Sequence, residues 1–320
     1  MTRMNAARDP LPVILVFGGG GQLGRALAET GRSHSTGARV TVLDRSSADI
    51  ANADEVKRMF DQYRPALVIN AAAFTAVDAA ESHEVMAFLC NAVGPHQLAL
   101  ACAGARIPLL HVSTDYVFSG TGEVPWSPTD PTAPLNAYGR SKLAGEWAVQ
   151  AAHPDSYIFR TSWVFSPWGN NFVKSMLRLG GSREELAIVS DQHGCPTYAL
   201  DLAAALLKIA AGLLEGHSFT PGIYHFCNAG VTTWFDFANA VFEIAARSGY
   251  ARPRLRPITT AEYPLPAARP RWSVLDCSET VRHFDLTIPS WRDALQRCMD
   301  RLAKEGFKSS LLTHIEQISH

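Results

Sequence analysis

Apolar positions in this chain alternate between short unbroken runs and faces with helical spacing. Residues 11–17 (LPVILVF) are a branched apolar run, the pattern of a parallel strand buried on both faces. A helix is expected over about 22–29, a strand over 39–43, a helix around 54–63 and a strand over 66–70. A long helical stretch, about 81–104, leads to a strand at 107–112. Prolines 125, 128, 131 and 134 make 119–134 a loop, followed by a helix from about 138 and a strand at 157–160. Strands alternating with helices are built from βαβ units, so the chain predicts an α/β fold. Beyond about Trp163 the pattern loosens, with Gly180-Gly181, DQHGCPT at 191–197, a helix near 201–214 and a Pro/Arg-rich stretch at 252–271. No internal repeat or low-complexity tract is present.

The turn after the first strand gives the fold a ligand. Gly18, Gly19, Gly20, Gly21, Gln22, Leu23 and Gly24 read as Gly19-x-Gly21-x-x-Gly24 or as Gly18-x-x-Gly21-x-x-Gly24, a dinucleotide fingerprint between a strand and a helix. Glycine allows the sharp turn and lets a pyrophosphate approach the backbone N–H groups that open the next helix. Asp44, at the end of the second strand and 20 residues after Gly24, suits the adenosine ribose hydroxyls. The prediction is a doubly wound parallel sheet of the Rossmann type with a smaller C-terminal lobe over the cleft. Residues 1–165 are expected to hold the cofactor and 166–320 mainly the substrate, with some later segments returning to the sheet.

Composition narrows the class. The chain has 320 residues, 47% of them hydrophobic, enough to bury a large core. A net charge of −1 gives no basic surface for nucleic acid or an anionic membrane. No apolar run approaches the roughly 18 to 20 residues of a membrane span. The polar leader before residue 11 runs into a strand, unlike a signal peptide, so a cytoplasmic enzyme is expected. Cys90, Cys102, Cys195, Cys227, Cys277 and Cys298 are scattered without metal-ligand spacing and read as reduced thiols.

Tyr138 and Lys142 stand at i and i+4, on one helix face. An ammonium beside a phenol lowers its pKa from about 10, and such a phenol can give a proton to a carbonyl that is becoming an alcohol. Asn70-Ala71-Ala72-Ala73 ends the third strand with small residues, leaving room for a cofactor, although close packing accounts for them equally well. Ser113-Thr114-Asp115 ends the fourth, where a hydroxyl can bond both a substrate carbonyl and the phenol; a turn or cap is the alternative use.

Glycine loop, strand-end Ser/Thr and Tyr-x-x-x-Lys, in that order, resemble the extended short-chain dehydrogenase/reductase superfamily. GGGGQLG, NAAAFTAVDAAE, STDYVFSGTGEVPW, PLNAYGRSKLAGE, RTSWVFSPWGNNFV, DQHGCPT, GIYHF and AARPRWSVLD are similar, in sequence and order, to the dTDP-4-dehydrorhamnose reductase family over roughly residues 12–300. The resemblance implies reduction of the C4 carbonyl of dTDP-4-dehydro-L-rhamnose by NADPH or NADH, the last step of dTDP-L-rhamnose biosynthesis. It implies cofactor contacts at Gly18, Gly21, Gln22, Leu23, Asp44, Asp49, Ile50, Ala71, Ala72 and Ala73. Tyr138 would be the proton donor, Lys142 would hold the nicotinamide ribose and Thr114 would complete the catalytic trio. Thr114, Asp115, Trp163, Asn171 and Arg269 would meet the substrate, the last two at its diphosphate.

Some residues also carry plainer readings. Arg269 lies in an arginine-rich stretch, Asp191 and Gln192 suit a turn as well as a sugar pocket, and His193 and Cys195 read as structural. Family members described as pairing through magnesium carry glutamates where Ala26 and Leu200 stand here, so no metal and a monomer or metal-independent homodimer are expected. Phe74 replaces a common polar aromatic or histidine. Arg45, next to Asp44, could wrap a 2′-phosphate, so both cofactors are expected to serve. Rival readings are another nucleotide-sugar reductase or epimerase on this fold and a non-catalytic NADP-binding regulatory subunit.

Overall fold

A computed structural model describes residues 11–33 and 37–306; the leader before residue 11 lies outside them. The chain opens β1 (Val13–Phe17), α1 (Gln22–Ser33), β2 (Arg39–Leu43), α2 (Ala53–Tyr63) and β3 (Leu67–Asn70). Three short helical pieces follow, α3 (Val77–Ser82), α4 (Glu84–Phe88) and α5 (Gly94–Ala105), then β4 (Leu109–Thr114), α6 (Ala137–Ala152) and β5 (Tyr157–Thr161). Next come β6 (Val164–Phe165), α7 (Phe172–Gly180), β7 (Glu185–Val189), β8 (His193–Gly194), β9 (Thr197–Tyr198), α8 (Ala199–Leu214) and β10 (Gly222–His225). The last elements are β11 (Thr232–Thr233), α9 (Trp234–Arg247), β12 (Arg254–Ile258), α10 (Ser278–Phe284) and α11 (Trp291–Lys304).

Six strands form one parallel sheet in the order β10-β5-β4-β3-β1-β2. Alternate side chains of β1 face opposite ways, as a strand requires. Ile14 and Val16 pack with α1, α8 and Phe284 of α10, whereas Leu15 and Phe17 pack with α2, α5 and Val149 of α6. The doubly wound sheet expected from the sequence is therefore present. Strand order reverses between β1 and β3, and ligands of such sheets bind outside the strand ends at that switch point.

Segments α8, β10 and α10 return to the sheet layer, while Phe165, α7, β7, α9 and α11 enclose a second apolar core. The parallel pair β7–β12 belongs to this lobe. Its elements were hidden in the sequence because short strands and helices on a small core carry weak periodicity.

The helix expected over 81–104 is interrupted. His83 (φ −124°, ψ 42°) separates α3 from α4, and Leu89–Val93 is a π segment running into α5. Together Glu84–Ala105 is long and apolar enough to cross a membrane by length and composition, which corrects the expectation that no run approaches a span. Its buried face packs on α6 and α2, so it reads as a core helix of this domain.

Candidate active site

Three backbone segments frame a cavity of about 240 Å³ at the switch point: the glycine turn, residues 45–50 after β2 and residues 71–74 after β3. Gly18 takes φ +98°, and a Cβ there would lie 2.5 Å from the Ala71 carbonyl carbon, so only glycine brings the turn against the end of β3. The Gly18 and Gly19 N–H groups donate to the Leu43 carbonyl at 3.0 and 2.8 Å, tying the turn to β2 as well. This cradle, the small Ala71, Ala72 and Ala73, and the open first turn of α1 suit a dinucleotide pyrophosphate.

Gly18, Gly21, Asp49, Ile50, Ala71, Ala72 and Ala73 all line this cavity, as do Arg45, Phe74 and Cys90. Gln22 and Leu23 do not line it with their side chains. Leu23 is buried in the core, and the Gln22 amide bonds Val164, Ser166 and Asn171 of the lobe, leaving their backbone N–H groups for a phosphate. Asp44 stands beside the cavity, its Oδ1 accepting from Ser46 Oγ, Ser47 N and Ser47 Oγ at 2.7–3.0 Å, bonds that hold its carboxyl below the usual carboxylate range. Arg45 pairs with Asp49 at 3.0 Å.

The second half of the site climbs α6. Asn136 caps this helix through Gly139 N at 2.8 Å and fixes where its first turn begins. Tyr138, Lys142 and Glu146 then follow on consecutive turns of one face, all buried. Lys142 Nζ donates to the Val112 carbonyl at 2.7 Å, and burial lowers its pKa to about 8, with Glu146 opposing the drop. Burial pushes the Tyr138 phenol up to about 12; the nearby Thr114 hydroxyl opposes that, and Asp115 adds to it. Burial is the largest influence on the phenol and raises it, where the i, i+4 pair alone predicts a lowering, and the ammonium itself is held by the Val112 carbonyl of β4.

Thr114 Oγ1 donates to Asp115 Oδ1 at 2.9 Å and accepts Tyr116 N at 3.2 Å. Asp115 is buried, its Oδ2 has no hydrogen-bond partner, and desolvation raises its pKa to about 7, opposed by the hydrogen bond from Thr114. The Tyr116 ring meets Tyr138 edge-on at 5.6 Å.

Residues expected on the substrate side are differently engaged. Trp163 takes φ +48° and stacks on Trp234 with ring centroids 3.5 Å apart, a strained backbone of the kind found at functional positions. Arg269 bonds Asp78 at 2.7 Å and the Ala267 carbonyl at 3.0 Å. The Asn171 amide is spent on Gln22, Ser166 and Trp168 while its oxygen caps α7, so it braces the glycine loop instead of facing a ligand. His193 is wedged in the chain path, its backbone bonded to Arg271 and Ser273. Asp191 accepts from Thr260 N and Oγ1 at 2.8 and 2.7 Å, a long-range contact to the segment after β12 in place of the local turn expected, and Gln192 reaches Thr260 and Trp234.

Several supporting residues escaped the sequence. Asn91, in the π segment, accepts from Phe74 N at 2.8 Å and donates to the Phe74 carbonyl and to Ser141 Oγ, joining the residue 71–74 wall to the Tyr138 helix. Its only signal was a lone amide in an apolar run. Gly145 makes room for it, since a Cβ there would lie 1.9 Å from the Asn91 carbonyl oxygen. Glu146 forms a buried pair with Arg160 of β5 at 2.7 Å. Asn70 bonds His111 Nδ1 at 3.0 Å and the Ala72 N–H at 3.0 Å. Where magnesium-binding relatives were expected to carry glutamates, Ala26 is fully buried and Leu200 packs between the two cores.

A doubly wound sheet with this glycine cradle, a buried Tyr-x-x-x-Lys helix and a strand-end threonine defines an extended short-chain dehydrogenase/reductase. The chain belongs to the dTDP-4-dehydrorhamnose reductase family: residues 13–304 match the RmlD substrate binding domain model. It is 40% identical over 294 residues to a dTDP-4-dehydrorhamnose reductase of Sinorhizobium fredii, covering 92% of this chain and 98% of that one. It is 41% identical over 298 residues to the same enzyme of Salmonella typhimurium, covering 90% and 97%. The crystal structure of a dTDP-4-dehydrorhamnose reductase from Clostridium acetobutylicum superposes with a TM-score of 0.83 at 36% identity, covering 91% of this chain and 99% of that one. The reductase of Bacillus anthracis in complex with NADP superposes with a TM-score of 0.82 at 35% identity, with the same coverage.

Proposed function

We propose that this chain reduces the C4 carbonyl of dTDP-4-dehydro-L-rhamnose to dTDP-L-rhamnose with NADPH or NADH, the last step of dTDP-L-rhamnose biosynthesis. The observation that carries this reading is the buried Thr114, Tyr138 and Lys142 group beside the glycine cradle, in a chain about 40% identical to reductases of that name. Gly18, Gly21, Ala71, Ala72, Ala73, Asp49 and Ile50 hold the dinucleotide, with the Gln22 and Leu23 N–H groups at the pyrophosphate and Asp44 at the adenosine ribose. When bound, the reduced nicotinamide supplies a hydride.

Tyr138 gives its phenolic proton to the C4 oxygen as the carbonyl becomes an alcohol. Thr114 turns its hydroxyl from Asp115 Oδ1 to the C4 oxygen and donates where negative charge develops. With the phenol near 12 and Lys142 near 8, return of a proton from the ammonium to the phenolate runs downhill. Asp115 and Trp163 line the sugar side, Arg269 serves the diphosphate, and Asn171 is assigned to bracing Gln22. Residues 1–165 supply mainly the cofactor site and 166–320 mainly the substrate lobe. The chain is assigned to the cytoplasm as a monomer or a metal-independent homodimer.

The test is turnover by the isolated chain: loss of reduced nicotinamide absorbance with dTDP-4-dehydro-L-rhamnose, and dTDP-L-rhamnose identified by NMR. NADPH binding without turnover would overturn the reading in favour of a regulatory subunit.

A further inference from the structure

Away from the proposed active site, three cysteines from distant parts of the chain meet on the wall of a cavity of about 570 Å³. Cys195 lies between β8 and β9, Cys227 follows β10, and Cys277 precedes α10. Cys227 Sγ is 3.5 Å from Cys277 Sγ, and both sulfurs lie 4.0 Å from the Leu275 carbonyl. Cys195 lies close enough to Cys227 for the two thiols to influence each other's protonation. Cys195 and Cys227 are buried, whereas Cys277 is half-buried, so a small reagent in the cavity meets Cys277 first. Nothing in the proposed reduction uses these thiols. A soft metal ion is not favoured, because no cluster of three His, Cys, Asp or Glu residues among the described residues is arranged to hold one.

We infer that Cys227 and Cys277 form a reversible oxidation site that closes to a disulfide under a hydroperoxide. The Cys277 thiolate attacks the peroxide, whose O–O bond breaks. Cys277 becomes a sulfenic acid, and the peroxide is reduced to its alcohol, or to water for hydrogen peroxide. Cys227 sulfur then attacks the sulfenic sulfur, and the hydroxyl leaves with the Cys227 proton as water. Two thiols lose two electrons in all, and those electrons reduce one peroxide. A disulfide needs its sulfurs about 2.05 Å apart, and the two here are already in contact from side chains 50 residues apart. The neighbouring Cys195 and Cys277 thiols, with burial, hold Cys227 above its ordinary pKa, and Cys277 is the more exposed of the pair, so Cys227 serves as the resolving thiol and Cys277 as the first to react.

The test uses the full chain treated with stoichiometric hydrogen peroxide. Denatured thiol titration should fall from six free thiols to four, peptide mass mapping should show Cys227 joined to Cys277, and dithiothreitol should restore all six. Cys277→Ser, which lies outside the proposed catalytic group, should keep basal turnover and all five of its remaining thiols under the same treatment. A Cys195–Cys227 bridge, a sulfinic acid at Cys277 without a bridge, or loss of two thiols in Cys277→Ser would each overturn the inference. Mapping of the unmutated chain decides the pairing even if the variant folds poorly.

Discussion

Along the nucleotide side of the cleft, the ligand-facing groups are mostly backbone: Gly18, Gly21 and the Ala71–Ala73 strand end bring main chain to the surface of one cavity. Across the cleft, the groups are side chains already engaged with one another. Trp163 lies on Trp234, Arg269 holds Asp78, Thr114 bonds Asp115, and the helix of Tyr138 and Lys142 carries the buried Glu146–Arg160 pair. Backbone donors need only the right turn, and glycine supplies it locally. Side-chain donors need a scaffold that fixes their orientation and their protonation. The nucleotide half should therefore tolerate side-chain changes that the reacting half does not.

The sharpest way to break that contrast is Tyr138→Phe. Turnover should fall by a factor of about 10² to 10⁴ while NADPH affinity stays within a factor of about three. Steady-state kinetics with a binding titration checks both, and an active variant would remove Tyr138 from the mechanism. Next in size is the brace beneath the stack. Arg160→Leu leaves Glu146 buried without its partner and should cost about 3 to 5 kcal/mol in denaturant unfolding. A cost below about 1 kcal/mol would mean the pair is not needed.

Asp115 separates the halves by pH. Its carboxyl is held up near 7, above an unfolded value of about 4, so its contribution to stability is full below about pH 4 and is lost as pH rises through 7. Asp115→Asn has no such loss. Its stability relative to the wild type should improve by about 2 kcal/mol between pH 5 and pH 8, measured by urea unfolding at both. A gap that does not change with pH would place the Asp115 titration elsewhere.

The smallest expected effect falls on the nucleotide side. Arg45→Ala removes an exposed guanidinium beside the cavity and its pair with Asp49. NADPH should weaken by less than about tenfold with NADH nearly unchanged, and equal loss of both would show that Arg45 is not the 2′-phosphate contact.

What could be read along the chain followed from rules that act over a few residues. Branched apolar runs gave the parallel strands, with 39–43 matching β2 to the residue. Glycine after a strand gave the cradle, and the i, i+4 rule put Tyr138 and Lys142 on one face. Relations between distant segments were not legible. Asn91 reaches Phe74 and Ser141 only because a π segment turns it inward, and Gly145 lies 54 residues away in sequence but makes the space. Cysteines that looked scattered meet in one cavity wall. Protonation was the clearest case. The sequence alone set which groups could exchange a proton, since that depends on residue type and helical spacing. Only the tertiary structure decided their pKa values, because desolvation is the largest influence on Tyr138, Lys142 and Asp115, and it depends on everything packed around them.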